Sequence, residues 1–499
     1  MNGRRIRLRY VGLVNFISNL ISVFTGMMFI TMVSRRLSES EFGLWSFLGV
    51  LLQYFIIPSS ITNYWLTRYT GRGFKVGRTG FFLNSLLMLI AVLLFPIISP
   101  NIVLSSGFKD NLPLIISILT IQIPAEYFSN TFTALAQGAA PQYIGYGQLI
   151  LEPTKLIAGY FLVVVKNYGL PGALLSYIIA RYMYALFLAL SLRGEFSEKF
   201  RRDLSVKWVK LGWLPAYSLI PSFLNNLDVM LVTLLLQSTV PVGHFKAINT
   251  VIAVVLYSRF LASALYPKLL SGGGAKDVND AVSFMLMFAF PMAFGATAMS
   301  KSFLSLLRSS YTVSSDALAI AALQAVTLCL SNIYSSCLIA TERVELKDNI
   351  TFYDYLKSRL FYVPSIRILF RLVYLIGIFL MLHFMGLSSE NPSLIVFLWF
   401  SLKFFLNFSF LLKFYFDAKS LLNLSFPWRR IVKYAFSSSI MFIILYLWGG
   451  GLKSYVKFYD ALLVSLKGVL LGSIIYFALT YIIDVEFRKF IKSILSRFI

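Results

Sequence analysis

Residues 112–137 read LPLIISILTIQIPAEYFSNTFTALAQ, and the placing of polar residues in that run decides the fold class. The run is long enough to cross a hydrocarbon core as a helix, which takes about 20 residues. Among its polar residues, Gln122, Glu126, Asn130, Thr133 and Gln137 stand at spacings of four, four, three and four. Those spacings put all five on one face of an α-helix. A membrane-crossing helix with one polar face turns that face to other helices or to water, so it belongs to a bundle.

Runs of the same kind recur from end to end, at 10–33, 42–66, 79–99, 112–136, 147–165, 170–192, 211–236, 245–270, 281–304, 316–340, 360–386, 392–416, 434–449 and 459–483. The reading is an all-α integral membrane protein of about 14 transmembrane helices. Composition agrees: 58% of the 499 residues are hydrophobic and only 13% charged, where a soluble chain carries about a quarter charged. No stretch between the runs is long enough for a soluble domain. The basic start Met1–Arg9 leads into an apolar run, Tyr10–Val33, that is too long for a signal h-region and lacks a small-x-small cleavage site. It reads as a retained first helix.

The net charge of +24 invites a nucleic-acid reading. Such a reading needs basic residues gathered on one soluble face. They sit instead in short segments between apolar runs, and alternate segments differ. Arg4, Arg5, Arg7 and Arg9 fall in one set, with Arg68, Arg72, Lys75 and Arg78; the same set continues through Arg193, Lys199, Arg201, Arg202, Lys207 and Lys210 to Arg429, Arg430 and Lys433. The other set holds little beyond Arg35, Arg36, Lys109, Lys166, Lys246, Arg308, Lys453 and Lys457. The positive-inside rule makes the first set cytoplasmic and puts both termini on the cytoplasmic side of the cytoplasmic membrane, and the scatter of the basic residues argues against nucleic acid as a partner. Cys329 and Cys337 are eight residues apart in one run, roughly 12 Å on a helix, too far for a disulfide. His244 and His383 join no metal-like cluster, and the sequon Asn349-Ile350-Thr351 falls in a segment read as cytoplasmic. No metal, cofactor or catalytic group is expected.

A weak internal repeat is present. Ser38-Glu39-Ser40-Glu41-Phe42-Gly43-Leu44-Trp45 follows the first run, and Ser238-Thr239-Val240-Pro241-Val242-Gly243-His244-Phe245 follows the seventh, with serine, glycine and an aromatic at an offset of 200. Ala134–Gly138 and Leu338–Glu342 match at nearly that offset. Duplication of a six-helix unit follows, and an even number gives halves of parallel topology. The expected organisation is an N-terminal lobe at 1–205, a C-terminal lobe at 206–425, and two further helices at 426–499.

Polar stripes recur in corresponding runs. Gln324, Thr327, Ser331 and Ser335 mark the tenth; Asn15, Asn19, Ser22 and Gly26 the first; Tyr217, Pro221, Asn225 and Asp228 the seventh. Interhelical hydrogen bonding accounts for the Ser, Thr and small positions, whereas the longest stripes suit a water-filled cavity. Glu126, Glu152, Lys155, Arg181, Asp228, Arg259 and Lys403 lie near mid-membrane, with Arg367 and Arg371 nearer the cytoplasmic side. A charge at the bilayer centre costs about 2.5–3.5 kcal/mol on the insertion scale, so these must face one another or water. Glu152 with Lys155, three residues on, suits either an ion pair or a titrating site. Arg181, Arg259 and Lys403 have no acidic residue three or four positions away and suit a cationic central cavity, with Gln122, Glu126 and Asn130 beside them. Such a cavity fits phosphate or pyrophosphate, which arginine grips as a fork. Asp228, Glu126 and Glu152 are candidates for coupling to H⁺ or Na⁺. Prolines 58, 124, 215, 221, 267 and 291 fall within spans and predict kinks; Ser271–Gly274 reads as a loop.

The run Val33-Ser34-Arg35-Arg36-Leu37-Ser38-Glu39-Ser40-Glu41-Phe42-Gly43 resembles the end of helix one in the polysaccharide flippases of the multidrug/oligosaccharidyl-lipid/polysaccharide exporter superfamily. Leu227–Leu231 followed by Val242-Gly243 resembles that family's helix-seven aspartate and its following glycine, and Ala136–Tyr146 resembles its loop between helices four and five. The resemblance spans roughly 10–420. It implies the two-lobed fold of multidrug and toxic-compound extrusion (MATE) transporters and alternating access in the lipid bilayer. The cargo it implies is a polyprenyl- or dolichyl-linked oligosaccharide. Drug exporters of the superfamily commonly carry an acid in helix one; none occurs in Tyr10–Val33. A cation-coupled drug exporter is the alternative. A membrane glycosyltransferase or ligase is a third reading, disfavoured by external loops too short to hold a catalytic cluster. The polar segment Val344–Arg359 departs from the flippase pattern.

Overall fold

The computed structural model describes residues 8–108, 111–262, 265–270, 273–342, 352–384, 391–485 and 487–488. All regular structure among them is helical. Two units divide the chain, 1–243 and 244–499.

The first unit holds α1 (Leu8–Arg36), α2 (Glu39–Ile56), α3 (Ser59–Gly71), α4 (Gly77–Leu104), α5 (Leu112–Ala139), α6 (Gln142–Gly159), α7 (Gly169–Ser191), α8 (Arg202–Lys210), α9 (Trp213–Asn225) and α10 (Leu227–Leu236), and reaches the first turn of α11 (Val240–Tyr257). In it α1 packs on α6, α6 on α7, and α5 on α3, α4 and α7. The second unit continues with α12 (Leu265–Leu270), α13 (Ala275–Ala298), α14 (Ser300–Leu307), α15 (Ser315–Ala340), α16 (Phe352–Leu356), α17 (Arg359–Phe384), α18 (Pro392–Leu422), α19 (Trp428–Trp448) and α20 (Phe458–Ile483). Here α15 packs on α18, α13 on α15 and α19, and α19 on α20.

Each of the 14 expected runs is helical over most of its described residues. Among the described residues 12 helices are long and apolar enough to cross a membrane, and the bent pair α2–α3 makes a thirteenth. Their outward faces stay apolar: Ile97 on α4 and Ile474 on α20 are each 70% exposed. Such exposure is tolerable in lipid, where helices associate through close packing and hydrogen bonds rather than through exclusion of water. The buried face of α20 shows the close-packing device, with Ala461, Ser465, Gly468 and Gly472 turned inward and Ser465 bonded to Ser302 of α14 at 2.8 Å.

Some local expectations are met and others corrected. The second run is not one helix: it breaks at Pro58 and turns by 60°, because proline has no N–H to continue the ladder. Pro124 and Pro291 lie inside unbroken helices. The run 245–270 leaves α-helix at Tyr257 for a 3₁₀ turn, Ser258–Ala262. Lys246, read as an external-loop residue, lies on α11. Of the Ser271–Gly274 loop, Gly274 is the N-cap of α13, its N–H donating to Asp277 Oδ2 at 3.0 Å. Within 344–359, residues 344–351 lie outside the described set; beyond them α16 forms, and the Arg359 N–H donates to Glu342 Oε2 at 2.8 Å.

The two segments that repeat at an offset of 200 meet within the first unit. Ser38 opens α2 with a reciprocal cap: its hydroxyl accepts from the Glu41 N–H at 3.1 Å, and the Glu41 carboxylate accepts from the Ser38 N–H at 2.8 Å. That fixes the first turn of α2 against the start of α11. There the Thr239 hydroxyl donates to the Ser40 carbonyl at 2.7 Å, and the backbones approach at Gly43 and Gly243.

Candidate functional site

The polar face of α5 is turned to α7. Glu126, 6% exposed, meets Arg181 across that seam, Oε1 to Nε at 3.2 Å. The same Nε donates to the Tyr177 hydroxyl at 2.8 Å, and the guanidinium carbon lies 5.2 Å from the Tyr177 ring centre. One helical turn along α5, the Ser129 hydroxyl donates to the Arg181 carbonyl at 3.1 Å; another turn on, Thr133 bonds the Tyr184 hydroxyl at 3.0 Å. The seam is therefore a ladder of polar pairs with one charge of each sign. Gln122, one turn from Glu126, is buried with Oε1 lacking a hydrogen-bond partner. Asn130 is half-buried and Gln137 exposed.

A second ion pair lies between α1 and α6. Glu152 Oε2 is 2.7 Å from Lys155 Nζ and accepts the Thr25 hydroxyl proton at 2.7 Å. Lys155 Nζ also sits 5.5 Å from the Phe29 ring centre. Glu152 and Lys155 are both buried. With a third group satisfying the carboxylate, the pair meets the condition under which a buried pair persists.

Asp228, 1% exposed, stands where α9 gives way to α10. The helical ladder is interrupted at Asn226, and Asp228 Oδ1 accepts the Val229 N–H at 2.8 Å.

In the second unit, Lys403 of α18 lies over the Phe245 ring, Nζ 4.5 Å from its centre. Phe245 is itself stacked on Trp399 at 3.9 Å. Arg259 is on the 3₁₀ turn, exposed, its guanidinium 5.2 Å from the Phe260 ring centre. The α15 stripe divides in two. Thr327, Ser331 and Ser335 donate to carbonyls three residues back, at 2.9, 3.0 and 3.0 Å, as membrane hydroxyls do when satisfied locally. Arg367 of α17 then uses the stripe, donating through Nη2 to Ser335 Oγ at 2.7 Å and Asn332 Oδ1 at 3.2 Å.

Among the sequence-derived candidates, the first unit therefore joins Glu126 to Arg181 and Glu152 to Lys155. Five participating side chains are absent from the sequence-derived candidates. Tyr177 stands four residues before Arg181 on α7, a spacing that carries the signal once a phenol counts as a partner beside the acids. Thr25 is one hydroxyl among several on α1 and carries none. Asn63, Asn84 and Thr131 form a node of three helices, Asn84 Nδ2 lying 2.7 Å from Asn63 Oδ1 and 2.8 Å from Thr131 Oγ1; each is isolated in its own run. Cys329 and Cys337 are free and buried.

No family model matches the chain, and no curated protein matches it in sequence. Solved structures do match in three dimensions. The lipid II flippase MurJ, in an inward closed conformation, superposes with a TM-score of 0.68 at 15% identity, covering 97% of this chain and 99% of that one. The chain shares the fold of that structure. An inward-facing multidrug resistance MATE transporter of the MOP superfamily gives a TM-score of 0.58 at 12% identity, over 81% of this chain and 96% of that one. A point mutant of the MATE transporter VcmN of Vibrio cholerae gives 0.53 at 12% identity, over 83% and 97%. This chain is thus a multi-pass membrane protein of the MATE-like fold.

Proposed function

We propose that the protein flips a lipid-linked oligosaccharide or polysaccharide precursor across the cytoplasmic membrane by alternating access. The observation that carries this is coverage. The flippase structure matches 97% of the chain, the terminal pair α19–α20 included, whereas the drug exporters match 81–83%. In this reading the lobes are those expected at 1–205 and 206–425, with 426–499 added, and both termini are cytoplasmic.

The chemistry supports the same cargo. A glycan headgroup on a phosphate or pyrophosphate is polar and anionic while its polyprenyl or dolichyl tail stays in the bilayer. The protein then needs cations within its spans and no covalent step. Arg181, Arg259 and Lys403 supply them, with Gln122 and Asn130 as amide partners for sugar hydroxyls. Lys403 and Arg259 lie against aromatic rings, whose faces attract a cation. Glu126 and Glu152 enter as switches: protonating either carboxylate frees Arg181 or Lys155 for a passing anion. Asp228 enters as the coupling site for H⁺ or Na⁺, since a broken membrane helix bares carbonyls beside its carboxylate.

The test is flipping of a lipid-linked sugar by purified protein in proteoliposomes. Lys403→Glu and Arg259→Glu are expected to abolish it, and full activity in both would remove these cations from the mechanism. The second reading, a cation-coupled drug exporter, is favoured by the MATE likeness. Loss of the gene would then change drug sensitivity and leave surface glycans intact.

A further inference from the structure

We propose that α8 and the turn between α3 and α4 form a docking surface for anionic phospholipid headgroups, with the valine edge of α8 seated among the acyl chains. This rests on the geometry of the first unit alone and holds whatever the cargo.

Three contacts fix the level of α8. The Arg201 N–H, at its N-cap, donates to Thr79 Oγ1 at 3.0 Å, and Thr79 is in the first turn of the membrane span α4. The buried side of α8 is Leu204, Ser205 and Trp208, and the Trp208 ring lies 5.5 Å from that of Tyr69 on α3. Just before α8, the Phe200 ring meets Phe82 of α4 at 5.0 Å, edge to face. Phe82 is 54% exposed on the outside of its span, four residues in from Arg78, about 6 Å at the helical rise. Phe200 therefore sits at the depth where α4 enters the hydrocarbon, and α8 lies on that boundary.

The exposed side of α8 has two edges. Helical spacing puts Val206, Val209 and Arg202 along one, with Val209 71% exposed, and Lys207 and Lys210 along the other. The neighbouring turn adds Phe74, exposed and in ring contact with Tyr69 at 5.8 Å, and the exposed Arg72 and Arg78. Among the described residues none of these five basic side chains has an ion pair, whereas Arg201 is held by Asp203 at 3.2 Å. Apolar groups beside unpaired cations, at the boundary depth, are the footprint of a helix lying in an anionic interface. A soluble acidic partner would take the cations and leave Val209, Val206 and Phe74 in water.

The test uses the full-length protein in vesicles of neutral phosphatidylcholine, with or without phosphatidylglycerol. Val209→Cys is spin-labelled, Cys329 and Cys337 being buried. With phosphatidylglycerol the label should be relaxed by oxygen and shielded from an aqueous nickel chelate; in phosphatidylcholine alone, shielding should fall at least twofold. A label open to the chelate in both lipids would overturn the proposal and assign the patch to a soluble partner. Shielding that is equal in both would overturn the anionic preference. As a second measurement, phosphatidylglycerol should raise the thermal midpoint of the wild type, and Lys207→Gln/Lys210→Gln should lose at least half of that rise. Lys207→Arg/Lys210→Arg should keep it. An equal rise in all three proteins would remove the lysines from the site.

Discussion

Gly43 and Gly243 meet backbone to backbone: a side-chain carbon built on Gly43 would lie 2.9 Å from the Gly243 nitrogen, and one built on Gly243 3.3 Å from the Gly43 nitrogen. The contact is reciprocal. The Gly43 carbon would also collide with the Thr239 carbonyl, and the Gly243 carbon would stand 2.6 Å from the Glu39 carbonyl, two positions that are themselves 200 apart. The two closest approaches thus fall at matching positions of the segments that repeat at an offset of 200. Gly43→Ala and Gly243→Ala should each lower stability by about 1–3 kcal/mol, the usual range for overpacking. The double variant should cost less than the sum, because one displacement relieves both clashes. Thermal unfolding of the three purified variants checks this, and strict additivity would refute a shared joint.

Glu126→Gln should destabilise the protein by about 3 kcal/mol, since removing one member of a buried pair strands the other. Glu126→Gln/Arg181→Gln should recover part of that loss, as no buried charge is then left unpaired. The comparison is again of thermal midpoints in one detergent, with recovery by the double variant as the deciding sign.

The Glu152 site predicts an order rather than a single value. Lys155→Leu should cost more than Thr25→Val, because the first leaves a buried carboxylate without its cation and the second removes one hydrogen bond, worth about 1 kcal/mol in a membrane interior. Equal losses would mean that Glu152 is held chiefly by the hydroxyl.

Cys329 and Cys337 should resist a membrane-permeant maleimide in native vesicles and react only after denaturation, as both are buried. Labelling of either one in the folded protein, read by mass spectrometry, would show that α15 opens.

The reciprocal cap on α2 follows a local rule, serine followed three residues on by glutamate and then an apolar run. The prolines were only partly legible. Pro58 marks a 60° break, while Pro124 and Pro291 sit in helices that continue. The missing hydrogen bond is the same in each case; whether the helix breaks there depends on what packs beside it.

The sequence by itself determined where the apolar runs lie, that they are helical over most of their length, and which face of α5 is polar. Lipid imposes those requirements one helix at a time: every backbone group must bond within its own segment, and every charge must find an inward face. What the tertiary structure decided is who meets whom. Arg181 has no acid within a turn of its own helix, yet the α5–α7 seam brings it Glu126 at 3.2 Å. Glycines 200 positions apart share one joint because two backbones approach there more closely than any side chain allows. Approach between helices depends on the packing of whole faces, and spacing along a single chain does not encode it.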